Sequence, residues 1–449
     1  MSRIPSPTVE LHRETLPNGL QVVLAPDRTA PVVAVGVHYD VGFRSEPEGR
    51  TGFAHLFEHL MFQGSESLEK LAHFRHVQAS GGTFNGSTHP DYTDYYEVVP
   101  SAALERALFI EADRMRAPRL TAENLRNQVD VVKEEIRLNV LNKPYGGFPW
   151  ITLPPVLYET FPNAHNGYGD FSELEAATID DCAAFFDVYY APGNAVLTVA
   201  GHLDIDDAVK LVHQHFDDVP ARPVPVRPSF AEPPPDRERR HCQPDPLAPL
   251  PALAIGYRMP DPTVDLGGYV AHEVLSAVLT DGDSARLVQR LVHSDELVTD
   301  ISARCGLFGT PLDARDPDTF TVTAIHPSTV DVNRVLAAID EELARLAADG
   351  PEPDELSRIT ARWAAMLFRE HDRLVSRTLA IGAFELLHGR AELITELPAL
   401  VTAVGPEQIA SAAARLAPDS RAVLILEPAP GTVSKLEPAS GSSVSKQEA

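Results

Sequence analysis

The side chains best suited to chemistry lie close together near the start of the chain, in the stretch His55-Leu56-Phe57-Glu58-His59. In a helix of about 3.6 residues per turn, residues three and four apart share a face. His55, Glu58 and His59 would therefore converge on one side of such a helix. Imidazole nitrogen is a preferred ligand of Zn²⁺, and a catalytic zinc site takes three protein ligands and leaves a fourth position to water. The spacing predicts two of those three ligands.

The order His-x-x-Glu-His is the inverted form of His-Glu-x-x-His, and both orders are typical of zinc-dependent hydrolases. Two alternatives stay open at this point. The five positions can match by chance in a chain with 17 histidines among 449 residues. Histidines that donate to backbone carbonyls inside a core would give the same pattern.

A third ligand is a candidate further along the chain, in Val131-Val132-Lys133-Glu134-Glu135-Ile136-Arg137. Apolar residues recur at helical spacing across 122–141, which predicts a helix there. A carboxylate from Glu135 would complete a set of two imidazoles and one carboxylate. Taken alone, Glu135 is equally well explained as one more charge on a solvated helix face.

A glycine-rich stretch, Gly81-Gly82-Thr83-Phe84-Asn85-Gly86-Ser87-Thr88, precedes a run typical of a strand at 92–100. We expect the first piece to form an edge strand, where another backbone can approach closely. An extended peptide added to such an edge is held by main-chain hydrogen bonds. The alternative is that the two leading glycines only form a turn or a bulge.

The remaining elements must position these groups. Asn18-Gly19 lies between strand-like segments and predicts a hairpin, and a β-branched run at 32–39 continues the sheet. Helices are expected at 102–114 and 180–190, and a closing strand at 194–201. A proline-rich segment follows and predicts a linker between two domains. Beyond it, similar segments recur at offsets of about 218 to 231 residues, which indicates a duplicated unit.

The predicted fold is α+β, with two homologous lobes, each a mainly antiparallel sheet packed with helices, that form a clam-like pair. The predicted segments are a metal-binding lobe at 1–220, a linker at 221–250, a lobe without metal ligands at 251–430 and a disordered tail at 431–449. At the repeat offset, His55, Glu58 and His59 correspond to Glu273, Ser276 and Ala277, so the second copy has lost the ligands.

Composition narrows the class of protein. The chain carries a net charge of -26, which argues against a nucleic-acid partner because phosphate binding needs clustered Lys and Arg. No apolar run is long enough to span a membrane, and the start of the chain lacks the apolar core of a secretion signal, so a cytoplasmic location is predicted. Three widely spaced cysteines indicate ordinary thiols rather than a disulfide framework.

Together these residues resemble the pitrilysin/insulinase family of zinc metallopeptidases, which includes the mitochondrial processing peptidases. The resemblance covers roughly residues 10 to 430. It rests on the His-x-x-Glu-His stretch, the glycine-rich stretch, a glutamate 76 residues past the second histidine, and Tyr190-Ala191-Pro192-Gly193-Asn194 before a strand. It implies zinc as the cofactor, His55, His59 and Glu135 as its ligands, and Glu58 as the catalytic base. The substrate-binding residues that it implies are Gly82, Thr83, Phe84, Asn85, Gly86, Ser87 and Arg286.

The chain departs from the family pattern at two positions. Gln128 stands where the family usually has a second glutamate, and Thr299 stands where Arg286 would have a tyrosine partner. Family members that lack this pair often work with a second subunit that supplies it. The resemblance therefore implies either a heterodimer with a related subunit or a homodimer.

The function expected from the sequence is a zinc-dependent endopeptidase that hydrolyses peptides or unfolded polypeptide segments. One alternative is a non-catalytic scaffold subunit, because relatives of this fold are structural subunits of respiratory complexes; such proteins usually lose part of the ligand set. A zinc hydrolase acting on a small amide is the other alternative, and the glycine-rich edge favours a peptide over it.

Overall fold

Two β-sheets organise the protein in the computed structural model, which describes residues 9–429. The first sheet has the order β1-β2-β6-β3-β5-β4 and consists of β1 His12–Thr15, β2 Gln21–Pro26, β3 Val32–Tyr39, β4 Thr83–Thr88, β5 Thr93–Pro100 and β6 Ala195–Gly201. The second has the order β7-β11-β8-β10-β9 and consists of β7 Arg239–Asp245, β8 Ala252–Arg258, β9 Asp300–Cys305, β10 Thr319–Ile325 and β11 Ala422–Pro428. The tail predicted at 431–449 lies outside the described residues.

Helices accompany each sheet. Those of the N-terminal lobe are α1 Phe53–Leu60, α2 Ala72–Ala79, α3 Leu104–Arg116, α4 Ala122–Ile136, α5 Pro154–Leu157, α6 Phe161–Ala164, α7 Phe171–Glu175, α8 Ile179–Tyr189 and α9 Ile205–Phe216. Those of the C-terminal lobe are α10 Leu266–Thr280, α11 Val332–Asp349, α12 Pro353–Asp372, α13 Leu374–His388, α14 Leu393–Ala403 and α15 Pro406–Arg415. No helix within 9–429 is both long and apolar enough to cross a membrane.

The two sheets repeat one topology. The strand order β2-β6-β3-β5-β4 in the first sheet matches β7-β11-β8-β10-β9 in the second, and in each the first pair is parallel while the others are antiparallel. The predicted α+β fold of two lobes with mainly antiparallel sheets is confirmed.

The segment predicted as a linker contains a strand of this repeat. Prolines led us to expect no regular structure there, yet β7 spans Arg239–Asp245 and includes Pro244. It lies at the edge of the second sheet and pairs only with β11 among the described strands. An edge strand tolerates proline because one side of its backbone needs no ladder hydrogen bond.

The lobes exchange helices across their boundary. From the C-terminal lobe, α13 packs on the N-terminal sheet, where Ile381 and Phe384 join Val23 and Val196 in one core. From the N-terminal lobe, α5 and the residue before it pack on the C-terminal sheet, where Leu153 and Leu157 join Leu424 and its neighbours. Each sheet is therefore covered on one face by its own helices and on the other by a helix of the opposite lobe.

Candidate active site

Contacts with neighbouring residues fix the N-terminus of α1, the helix that carries both histidines. Gly52 precedes it with φ 84°, and a Cβ at this position would lie 2.6 Å from the carbonyl oxygen of Tyr168. The buried carboxylate of Glu46 accepts hydrogen bonds from the backbone N–H of Gly52 (2.9 Å) and of Ala54 (2.7 Å). These bonds satisfy donors that the first turn of a helix leaves free. Glu46 therefore sets where the helix starts and how its face is turned.

The structure brings Glu135 to the two histidines. The helices α1 and α4 pack together, and His59 Nε2 lies 3.3 Å from Glu135 Oε2 while His55 Nε2 lies 3.7 Å from Glu135 Oε1. The two imidazole rings have centroids 4.9 Å apart and stand almost perpendicular. Three side chains from two distant parts of the chain thus point one donor atom each at a common position, with these atoms within 4.8 Å of one another.

This donor set fits a zinc ion. Ligand atoms about 2.0–2.1 Å from a tetrahedral zinc stand roughly 3.3 Å apart, close to the separations of Glu135 from both histidines. Burial lowers the pKa of His55 to about 4, so its imidazole is neutral near pH 7, the form that binds a metal. The hydrogen bond with His59 holds the pKa of Glu135 below its usual value, so this group is a carboxylate.

Glu58 lies beside the three donors without being one of them. Its Oε2 accepts a 2.7 Å hydrogen bond from Oγ1 of Thr88, the last residue of β4. Burial raises the pKa of Glu58 from its ordinary value, although this hydrogen bond opposes the rise. A Cβ at Gly86 would come within 3.2 Å of the Glu58 Cγ, so the glycine lets the edge strand lie directly against the carboxylate side chain.

The donors open into a cavity of about 350 Å³. It is lined by His55, Glu58, Thr88, Glu135, Trp150, Gly167, Tyr168 and Phe308. The Tyr168 hydroxyl lies 3.5 Å from Glu135 Oε1, and its ring is 5.1 Å from that of His55. Phe308 belongs to the C-terminal lobe, so both lobes form the wall of this cavity.

The other residues suggested by the sequence have different surroundings. Gly82 directly precedes β4, and Thr83–Ser87 belong to that strand, which is the last in its sheet and pairs only with β5 among the described strands. Arg286 is not among the residues that line the cavity; its guanidinium donates to Glu355 and Glu342. Thr299 directly precedes β9. Arg286 as a substrate-binding residue stays a prediction.

Gln128, one of the two departures, is close to the metal donors. Its Nε2 donates a 2.8 Å hydrogen bond to Oδ1 of Asn127, and its amide lies near enough to His59 to influence the pKa of that imidazole. Burial lowers the pKa of His59, but the hydrogen bond with Glu135 and the charge of Glu58, with a contribution from Gln128, raise it above its ordinary value. A neutral amide therefore supports His59 without adding a second negative charge.

Sequence reasoning missed several residues of the site. Thr88 is the last residue of the glycine-rich stretch, so the sequence places it near the candidate site without indicating its hydrogen bond to Glu58. Glu46, Trp150, Tyr168 and Phe308 have no comparable signal, because each meets α1 or α4 only through the tertiary fold.

The sequence of the chain matches two protein-family models and several known proteins. Residues 21–144 match the family model described as Insulinase (Peptidase family M16), and residues 176–362 match the Peptidase M16 inactive domain. The chain is 30% identical over 289 residues to the zinc protease PqqE of Helicobacter pylori, a match that covers 64% of each protein. It is 28% identical over 419 residues to an uncharacterized zinc protease of Mycobacterium leprae, covering 90% of this chain and 88% of that one.

A solved structure shows the same fold. The crystal structure of a protease from Helicobacter pylori superimposes with a TM-score of 0.85 at 24% sequence identity and covers 94% of this chain and 100% of that one.

Proposed function

The chain belongs to the M16, or insulinase, family of peptidases, and on this premise we propose that it is a zinc-dependent endopeptidase with Glu58 as its general base. The observation that carries the proposal is the convergence of His55, His59 and Glu135 on one position, with the Glu58 carboxylate beside it. Relatives named zinc proteases support the same activity.

The residues divide the chemistry between them. His55, His59 and Glu135 would hold Zn²⁺, which supplies a Lewis acid that activates water near neutral pH and polarises a carbonyl. The hydroxyl of Thr88 donates a hydrogen bond to Oε2 of Glu58, so Oε1 would take the proton from the attacking water. The protonated Glu58 then passes that proton to the departing amine nitrogen, as general acid-base catalysis requires. The C–N bond breaks, and a carboxylate and an amine result.

The substrate that suits this site is an extended peptide. The edge strand β4 lies directly beside Glu58, with Gly86 against the carboxylate side chain. A peptide paired with that edge through main-chain hydrogen bonds would present successive carbonyls to the metal position. Folded proteins lack free strands of this kind, so peptides and unfolded segments are the proposed substrates. The proposal includes a second subunit, either another copy of this chain or a related protein. That subunit would supply a tyrosine in place of the one that this chain lacks at Thr299.

Metal content and hydrolysis measured on matched variants test this proposal. Glu58→Gln should retain near-stoichiometric zinc and lose peptide hydrolysis, whereas His59→Ala and Glu135→Gln should lose both. Glu134→Gln is the matched control, because Glu134 is adjacent in the chain but pairs with Arg137 at the surface. Zinc-free wild-type protein would instead support a scaffold role. Full turnover by Glu58→Gln would show that another group is the base.

A further inference from the structure

A second, larger cavity adjoins the candidate active site. It has a volume of about 450 Å³, and Trp150 and Phe308 line both cavities. One wall comes from the N-terminal lobe, through Tyr145, Phe148 and Trp150. The opposite wall comes from β9 and β10 of the C-terminal sheet. A peptide that leaves the metal position past the aromatic pair Trp150 and Phe308 would therefore enter this cavity.

The strand β9 presents two charged side chains to the cavity. Alternate residues of a strand face the same side, and Asp300, Ser302 and Arg304 all line the cavity wall. Arg304 lies at the end nearer the active site, since a Cβ on Gly309, next to Phe308, would be 3.0 Å from its Cδ. Asp300 pairs in register with Ile325 at the other end, four residues or about 13 Å away.

The guanidinium of Arg304 has no ion pair or side-chain hydrogen bond within residues 9–429, and the residue is exposed. Two arginines of the same lobe are engaged instead: Arg286 binds Glu355, and Arg315 binds Asp40. An arginine fork binds a carboxylate through two parallel hydrogen bonds. The overall charge of -26 repels acidic ligands at long range, but salt screens this repulsion beyond about 8 Å. The charge nearest to the ligand therefore determines whether an acidic group binds.

We propose that this second cavity is a substrate subsite in which Arg304 binds an acidic side chain a few residues from the scissile bond. The inference rests on the proposed function, because it assumes that the peptide passes from the active site into the cavity. It specifies the substrate class further: extended peptides with Glu or Asp at one fixed distance from the cleaved bond. Asp300, farther out, disfavours a second acidic residue beyond it.

The test measures binding separately from cleavage. Fluorescent peptides of otherwise neutral sequence carry a single Glu, Gln or Lys at successive positions, and their Kd values are measured by anisotropy on zinc-loaded Glu58→Gln protein. At one position, Glu should bind about tenfold tighter than Gln, the scale of one charge-assisted contact. Adding Arg304→Gln should abolish this preference, and Arg304→Glu should replace it with a preference for Lys. Arg334→Gln is the control, since Arg334 is exposed on α11 and does not line the cavity.

The outcomes separate the two proposals. Equal affinities for Glu and Gln at every position overturn the subsite, even if the wild-type protein cleaves these peptides. A Glu preference that disappears with Arg304→Gln supports the subsite, and the absence of wild-type cleavage would then overturn the peptidase function alone. A Glu preference that survives Arg304→Gln overturns the role of Arg304. If no peptide binds at all, the subsite is overturned, and cleavage of these peptides by the wild-type protein decides the peptidase function separately.

Discussion

Thr88 connects Glu58, the proposed base, to the C-terminal lobe. Its hydroxyl donates to Glu58 Oε2 at 2.7 Å, and the next residue, His89, has Nδ1 2.7 Å from Oδ2 of Asp313 across the lobe boundary. Burial lowers the pKa of His89, but the carboxylates of Asp313 and Asp94 outweigh it and raise the pKa to about 10. His89 is therefore an imidazolium that contacts carboxylates of both lobes, and the position of the Glu58 side chain depends on a contact between them.

Replacing Thr88 should weaken catalysis without weakening substrate binding. Thr88→Val keeps the shape of the side chain and removes the hydrogen bond to Glu58, so the carboxylate loses its fixed orientation. We expect kcat to fall about tenfold, the scale of one hydrogen bond to a charged group, with KM nearly unchanged. Steady-state kinetics on a single peptide measure both constants. Thr88→Ser should restore kcat, and a rise in KM alone would contradict a role in positioning Glu58.

Removing the Asp313 carboxylate should destabilise the lobe boundary. Asp313 also accepts a 2.6 Å hydrogen bond from the Tyr92 hydroxyl, so Asp313→Ala leaves the buried Tyr92 hydroxyl and the partly buried His89 imidazolium without this partner. Breaking one side of a buried ion pair costs about 3–5 kcal/mol, which predicts a lower thermal unfolding midpoint. Because His89 follows Thr88, kcat should fall as well. Asp316→Asn, an exposed change in the same loop, is the control, and an unchanged midpoint for Asp313→Ala would refute the prediction.

Glu273 on α10 should make a contribution to the stability of the protein that decreases between pH 5 and pH 8. Burial, with a smaller contribution from the charge of Asp318, raises the pKa of Glu273 from an ordinary 4.5 to about 8. Between these values the folded state keeps a proton that the unfolded state has released. The stabilisation is complete below pH 4.5 and is lost as the pH rises to about 8, at about 1.4 kcal/mol for each unit of pKa difference.

Glu273→Gln should remove this contribution. The thermal midpoint of the wild-type protein relative to that of Glu273→Gln should decrease from pH 5 through pH 6.5 to pH 8, while the exposed change Glu407→Gln on α15 should leave the slope of midpoint against pH as it is in the wild type. Part of the slope should persist in every variant because burial also raises the pKa of Asp318 to about 7. Parallel curves for wild type and Glu273→Gln would mean that Glu273 does not titrate in this range.

Local patterns in the sequence are enough to predict the candidate metal donors and the repeat. His55 and His59 are one helical turn apart, and Glu135 lies in a strongly periodic helix, so their elements follow from spacing alone. The prolines around β7 predict irregular structure, and a strand forms there because it lies at the edge of its sheet, where proline is tolerated. The joint cavity wall at Trp150 and Phe308 depends on contacts between residues far apart in the chain, which no local periodicity records.

The exchange of α5 and α13 ties the two lobes together, because each lobe packs a helix on the sheet of the other. Pulling them apart would bare apolar strand surface on both sides, at Val23 and Val196 on one and at Leu424 on the other. The hydrophobic effect therefore strongly opposes wide separation of the lobes. If the chain were cut between them, each fragment would expose part of its apolar core to water. Under the proposed function, a polypeptide would have to reach the site as an extended strand, and the stability of the packed lobes would exclude folded proteins from it.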